Sequence, residues 1–375
     1  MVFVGDFVPQ HSRPVVPDFG MQWVVANLEG PVCADGLSPS EKVGMHLYSA
    51  PFEVAGRWAF SLANNHMMDY GQMGLDQTHA FLNKQGYSFA GAGENEKAAR
   101  EPMILEEAGK RIAVISCCER QFGVATDESA GVAEKGVWLY QAIAEAKKES
   151  DYVVISCHCA SEYSSAVSPQ LQKFYHSLID VGADVIHGHH AHVPQGWEAY
   201  RGRPIFYGLG NFVVDRKRVK RNPHLLWSLV AHVDFSGREL TWRVTPHGAV
   251  PSDVDNYLRL ANLGFEHPEL MIALWQKTCV ELYLSSYVQN LGTTSVISRA
   301  IPQRERLRKG YFALRDLMQA IIGREVRTGR SLVCARVLYN CFNCESHVDV
   351  ISTALGVLTG AVKDERNKLE GYLSC

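Results

Sequence analysis

Five short apolar runs in this chain each stop at a cluster of polar, metal-capable side chains, and that recurrence points to an α/β fold with its chemistry at strand ends. Val2, Phe3 and Val4 lead into Gly5-Asp6, and residues 23–26 into Asn27-Leu28-Glu29. Residues 58–63 lead into Asn64-Asn65-His66, residues 152–155 into His158 and Glu162, and residues 183–186 into His187-Gly188-His189-His190-Ala191-His192. Runs this short and this apolar read as buried strands. Helical spacing lies between them at residues 72–84, with Gly86 as a stop, and at 169–181. Residues 103–105 and 112–115 flank Gly109-Lys110 as a hairpin, and runs near 225–235 and 239–247 form a second around Ser236-Gly237. The expectation is a layered α/β domain with a mixed sheet over residues 1–250. Beyond residue 260, helical periodicities near 267–290, 303–322, 329–343 and 347–371 predict a helical C-terminal domain, 260–375.

Singly, these motifs have ordinary explanations. A strand-end Asp usually caps a turn, and a His behind a buried strand is usually a satisfied core residue. Their repetition favours ligands, because carboxylates, amides and imidazoles are the donors that suit one or two divalent cations. Asp6, Glu29, Asn65, His158, His190 and His192 are the candidate metal ligands. In an extended segment His190 and His192 would share one side. His66 is a candidate general acid, with Asp69 three residues on to orient its ring, and Glu162 is a further candidate for catalysis. Asn27, Asn64, His189, Asn211, Arg216 and Arg218 are candidate substrate contacts. The last two belong to Arg216-Lys217-Arg218-Val219-Lys220-Arg221, a basic run suited to an anionic or phosphorylated substrate.

A net charge of -3 gives no bulk attraction to nucleic acid. No apolar stretch approaches the roughly 18 residues of a membrane span. The N-terminus opens on an apolar strand without the charged region of a signal peptide, so a cytoplasmic location is expected. Ten cysteines in a chain of 375 residues do not read as a disulfide framework, and Cys341-x-x-Cys344 reads as core thiols in a helical context.

In order, these motifs resemble the bacterial capsule-synthesis CapA/PgsA family, over about residues 2–215. The resemblance rests on Val4-Gly5-Asp6, on Ala26-Asn27-Leu28-Glu29-Gly30-Pro31, and on Leu62-Ala63-Asn64-Asn65-His66 with Asp69-Tyr70-Gly71. It continues through Ala90-Gly91-Ala92-Gly93, His158 with Glu162-Tyr163, Gly188-His189-His190-Ala191-His192 and Gly208-Leu209-Gly210-Asn211-Phe212. It implies a calcineurin-like metallophosphoesterase sandwich, mixed sheets flanked by helices, with the C-terminal helices as an addition. It also implies a cluster of one or two divalent ions, Mn, Fe or Zn with Mg as a further candidate, held by the ligands named above. The sequence departs from the pattern at Cys159-Ala160, where members often carry Trp-Gly, and at Val8, where ordinary metallophosphoesterases have a His.

The leading expectation is a metal-dependent hydrolase, a phosphoesterase, linked to capsule or poly-γ-glutamate synthesis and its machinery. Two alternatives stand beside it. One is an enzyme acting on an amide or glycosyl phosphate. The other is a metal-stabilised scaffold for a membrane-bound synthase, with the Arg-rich segment 303–322 facing a partner.

Overall fold

The computed structural model describes residues 1–33, 37–42, 44–214, 222–287, 343–370 and 372. The chain divides into two compact units, Met1–Glu266 and His267–Cys375.

The first unit contains strands β1 (Val2–Phe7), β2 (Trp23–Leu28), β3 (Arg57–Ser61), β4 (Ser88–Ala90), β5 (Ala92–Gly93), β6 (Met103–Glu107), β7 (Lys110–Cys118), β8 (Gly131–Val132), β9 (Tyr152–His158), β10 (Val185–His189), β11 (Trp197–Tyr200), β12 (Arg203–Phe206), β13 (Asn211–Val213), β14 (Trp227–Asp234) and β15 (Thr241–Gly248). One sheet runs β15-β14-β1-β2-β3-β4, with β13 also paired to β1. A second runs β11-β12-β10-β9-β7-β6, and β5 and β8 form a small ribbon. Both large sheets are mixed: β1, β2 and β3 are parallel, as are β7, β9, β10 and β12, while β6, β11, β14 and β15 pair antiparallel. Both expected hairpins are present. Ala108 (φ 52°) and Gly109 (φ 72°) make the turn between β6 and β7, the left-handed pair that matches strand twist.

The two-residue period of the strands sorts their side chains into layers. Phe3, Val25 and Ala59 from one sheet meet Val114, Val154 and Val185 from the other between the sheets. Outward residues Val24, Trp58 and Phe60 pack on Leu75 and Leu82 of α1 (Gly71–Gln85). Ile115, Val153 and Ile186 pack outward on Leu139 and Ile143 of α3 (Trp138–Glu149) and on Leu171 and Leu178 of α4 (Pro169–Asp180). The short helix α2 is Glu96–Arg100. The unit is thus a four-layered α/β sandwich. α1 stops at Gly86, left-handed at φ 73°, and α4 starts at Ser168, whose hydroxyl accepts from Leu171 N–H.

Along the inter-sheet layer the apolar side chains give way to Asp6, Asn27, Ser156, His158, His187 and His189 at the carboxyl ends of the parallel strands. The layer that forms the core therefore also delivers the polar cluster.

Asp184, just before β10, ties this unit together. Its carboxylate accepts from Val153 N–H at 2.8 Å and Lys147 Nζ at 2.9 Å and lies 3.2 Å from Arg203. Asp184→Ala leaves a buried N–H unpaired and should cost about 2–3 kcal/mol. The cost should appear as a lower urea midpoint at unchanged slope; a midpoint equal to wild type would refute it.

In the second unit, α5 (Met271–Leu282) packs Trp275, Cys279 and Val280 toward Val350, Ala354 and Val357 of the helix Glu345–Thr359. Buried Gln276 donates to Lys363 O and accepts from Glu365 N–H. The helical expectation at 303–322 and all but the last residue of the one at 329–343, Cys341 included, fall outside the described residues. Among the described residues no helix is long and apolar enough to cross a membrane.

Candidate metal centre

Asp6 enters the centre because β1 shifts its register against β2 between Phe3 and Asp6, which releases the carboxylate from strict alternation. Asn27 Nδ2 donates to Asp6 Oδ1 at 2.8 Å and lies 3.1 Å from His158 Nδ1. Asn64 Nδ2 donates to Asn27 Oδ1 at 3.1 Å and Leu28 O at 2.9 Å, while its Oδ1 accepts from His66 N–H. The two amides are therefore struts of the centre rather than free contacts. Glu29 lies one residue beyond β2, held by its N–H on Phe7 O, and its carboxylate is 1% exposed.

On the other sheet, His158 Nε2 lies 3.1 Å from Asn65 Oδ1 and 3.7 Å from Glu29 Oε1. His189 Nδ1 is 3.5 Å from Asp6 Oδ1. His192 Nδ1 is 3.2 Å from Asp6 Oδ2, 3.6 Å from Glu29 Oε2 and 3.2 Å from Asn211 Oδ1. Three overlapping groups result: Asp6, Glu29 and His192; Glu29, His158 and His190; and Glu162, His190 and His192. Within each, one donor atom per residue lies within 4.8 Å of the others. These residues fit a divalent cation by donor chemistry and by their unsatisfied buried atoms. Glu29 Oε1, His189 Nδ1 and His190 Nδ1 are buried without a hydrogen-bond partner.

His190 and His192 do not meet by strand alternation, as their spacing predicts. Their φ angles of 86° and 59° are left-handed, and Tyr163 (φ 62°), whose N–H donates to Ala191 O, shares this conformation. Non-glycine residues held there cost about 1–2 kcal/mol each, which the surrounding fold must offset.

The charges are strongly coupled. Burial opposes ionisation of Asp6, but His189 and His192 outweigh it and hold the carboxyl well below the usual range. Burial dominates at Glu29 and pushes it up to about 8. For His192 burial favours the neutral ring, yet Glu29 and Asp6 raise it to about 10. His158, with the other imidazoles around it, is pushed well down by burial.

His66 stands beside this cluster in a network of its own. Its Nδ1 is 2.7 Å from Asp69 Oδ2, and Lys42 contacts both residues, 3.0 Å from the ring nitrogen. Leu47 N–H donates to the same Asp69 oxygen at 2.7 Å. Burial pulls His66 down, against the pull of Asp69.

Every sequence-selected residue among those described lies in this centre, on its struts or in the His66–Asp69 network beside it; Arg216 and Arg218 fall outside the described residues. Sequence reading missed Glu119, Gln121 and Lys42. Glu119 is 1% exposed, lies 3.2 Å from His190 Nε2, and follows β7 as the other motifs follow their strands, so the signal was available. His187, grouped with its neighbours in sequence, instead turns into the inter-sheet layer, its Nε2 2.8 Å from Val4 O.

A family model described as bacterial capsule synthesis protein PGA_cap matches residues 14–216. The capsule biosynthesis protein CapA of Bacillus anthracis is 32% identical over 56% of this chain and 54% of its own length. The PGA biosynthesis protein CapA of Bacillus subtilis is 33% identical over 66% of this chain and 67% of its own. The match thus spans about half the length of the first of these relatives. Among solved structures, a phosphatase of Mycoplasma pneumoniae aligns with a TM-score of 0.39 at 11% identity, covering 70% of this chain and 96% of that one.

Proposed function

The chain belongs to the bacterial capsule synthesis protein PGA_cap family, and from that premise we propose a metal-dependent hydrolase of the phosphoesterase class that serves synthesis of a capsule polymer such as poly-γ-glutamate. The observation that supports it most directly is the set of partnerless buried atoms at Glu29 Oε1, His189 Nδ1 and His190 Nδ1. A buried polar atom without a partner costs about 1–3 kcal/mol. Of these three atoms, Glu29 Oε1 and His190 Nδ1 belong to residues of the metal-capable groups, and a cation held beside Asp6, His158 and His192 would satisfy both.

Asp6, Glu29, Asn65, His158, His190 and His192 would hold one or two ions, and this mixed imidazole and oxygen set suits Mn, Fe or Zn. Bound there, such ions polarise a phosphoryl oxygen and make water a usable nucleophile near neutral pH. The rest falls to the chain's own side chains. Asp69 accepts the Nδ1 proton of His66 and fixes the ring, leaving Nε2 to exchange a proton with the leaving oxygen. Lys42 compensates the Asp69 charge so that the carboxylate can stay buried beside the imidazole. Glu162, grouped with His190 and His192, is the second proton-transfer group, and the basic run with Arg216 and Arg218 draws in the anionic substrate.

Elemental analysis of the purified protein, paired with aryl phosphomonoester and phosphodiester assays in added Mn, tests this. Near-stoichiometric metal and Mn-dependent turnover are the expected result. No bound metal and no turnover under any divalent ion would sink it and favour the scaffold reading.

A further inference from the structure

Glu119 is a buried carboxylate in contact with His190 that none of the three metal-capable groups contains. It sits one residue past β7, and its N–H donates to His158 O at 3.1 Å, so the backbone fastens it to a candidate ligand strand. Its Oε1 lies 3.2 Å from His190 Nε2, and both side chains are 1% exposed. Cys159 Sγ donates to its other oxygen at 3.7 Å, and Gln121 Nε2 donates to Oε1. The opposite ring nitrogen of His190, Nδ1, is buried and has no partner.

We infer that Glu119 is a positioning residue of this centre: it accepts the Nε2 proton of His190 and thereby presents the Nδ1 lone pair to the cation. The inference rests on the metal-centre reading above. A ligating imidazole commonly has its second nitrogen held by a carboxylate, which fixes both tautomer and ring orientation. The reverse tautomer is doubly unfavourable here. It would place a proton on buried Nδ1, where no acceptor waits, and turn the Nε2 lone pair toward a carboxylate. Gln121 Nε2, 2.7 Å from His190 Nε2, would donate to that reverse tautomer and so competes. A hydrogen bond to a charged acceptor is roughly twice as strong as a neutral one, so Glu119 prevails. The left-handed backbone of His190 (φ 86°) then has a physical purpose, since it sets the ring between Glu119 and His158, 4.4 Å from the His158 ring centre.

Zinc titration of the metal-free protein and a crystal structure of its zinc complex test this together. Glu119→Ala should weaken zinc binding about 10–100-fold, the usual effect of losing such a carboxylate. Glu119→Gln keeps shape and an acceptor oxygen, so it should recover part of that loss, which a purely structural role would not predict. In the wild-type crystal the ion should sit on His190 Nδ1. An ion on Nε2, or unchanged affinity in both folded variants, overturns the inference while leaving the metal centre intact. If Glu119→Ala does not fold, the wild-type crystal alone decides. A wild-type protein that binds no zinc would instead bring down the metal-centre reading itself.

Discussion

Glu29→Gln should bind metal at least as poorly as a lost outer carboxylate would imply, about 100-fold weaker than wild type, and yet be the more stable protein once metal is removed above pH 8. The two halves come from one fact: this carboxylate is 1% exposed, and its Oε1 has no hydrogen-bond partner. Burial, aided by Asp6 and opposed by His192, raises the folded carboxyl from 4.5 to about 8. The sign then follows from linkage. In the unfolded chain the group ionises near 4.5, whereas in the metal-free fold it keeps its proton until about 8. The stability that accompanies this proton is complete below the unfolded value and is lost as pH rises through the folded one. Gln cannot ionise and loses nothing over that window. The stability gap should therefore open between about pH 5 and 8 and level off above, reaching on the order of 2 kcal/mol once the nearby His192 charge is allowed for. Urea unfolding in chelator at three pH values, beside a metal titration, measures both halves. A variant less stable than wild type at every pH, with metal affinity intact, would make Glu29 a structural carboxylate instead.

The same residue illustrates what sequence conveys and what it withholds. The apolar run into Asn27-Leu28-Glu29 announces a strand with polar chemistry at its end, and so do the runs into Asp6, His66, His158 and His189. Each reading needs only local period and burial logic. The hairpin around Gly109 and the helix stop at Gly86 were legible for the same local reason, a demand for left-handed backbone, although the turn pair is Ala108-Gly109 and Lys110, read as part of the turn, already opens β7. Which side chains meet was less legible. His190 and His192 reach the centre through left-handed turns, not through the alternation their spacing suggests. His187 belongs to the inter-sheet layer because β10 alternates it onto Phe3, at a ring separation of 5.1 Å. Lys42 arrives on an irregular segment with no periodicity to flag it, and its meeting with Asp69 depends on Ser40 N–H bonding Asp69 O. Glu119 had the strand-end signal but not the residue type repeated around it, and only its contact with His190 gives it meaning.

Gly5→Ala and Gly188→Ala should each destabilise the first unit beyond the 4–5 kcal/mol that marks an exceptional single substitution, to the point of poor folding. Both glycines lie where two segments of the chain touch backbone to backbone beside the centre. A Cβ on Gly5 would stand 1.8 Å from Gly210 O and 2.8 Å from its carbonyl carbon. That same oxygen accepts from Asp6 N–H at 2.9 Å, so the clash cannot be relieved without releasing the strand that carries the first ligand. On the second sheet a Cβ on Gly188 would stand 2.1 Å from Tyr207 O, against a segment whose Tyr207 is itself fully buried. Close-packed interiors do not yield an ångström at a backbone contact, and overpacking of even a methylene costs about 1–3 kcal/mol where side chains can still move. Here the obstructing atoms are main chain on both sides. Gly109→Ala is the internal control: its φ of 72° is also left-handed, but nothing lies within 4 Å of the added carbon, so it should cost only about 1–2 kcal/mol of backbone strain. Thermal and urea unfolding of the three variants, measured alongside metal content, separates steric contact from conformational preference. If Gly5→Ala proved no worse than Gly109→Ala, the close approach of β1 to the Gly210 turn, and with it the placement of Asp6, would be wrong.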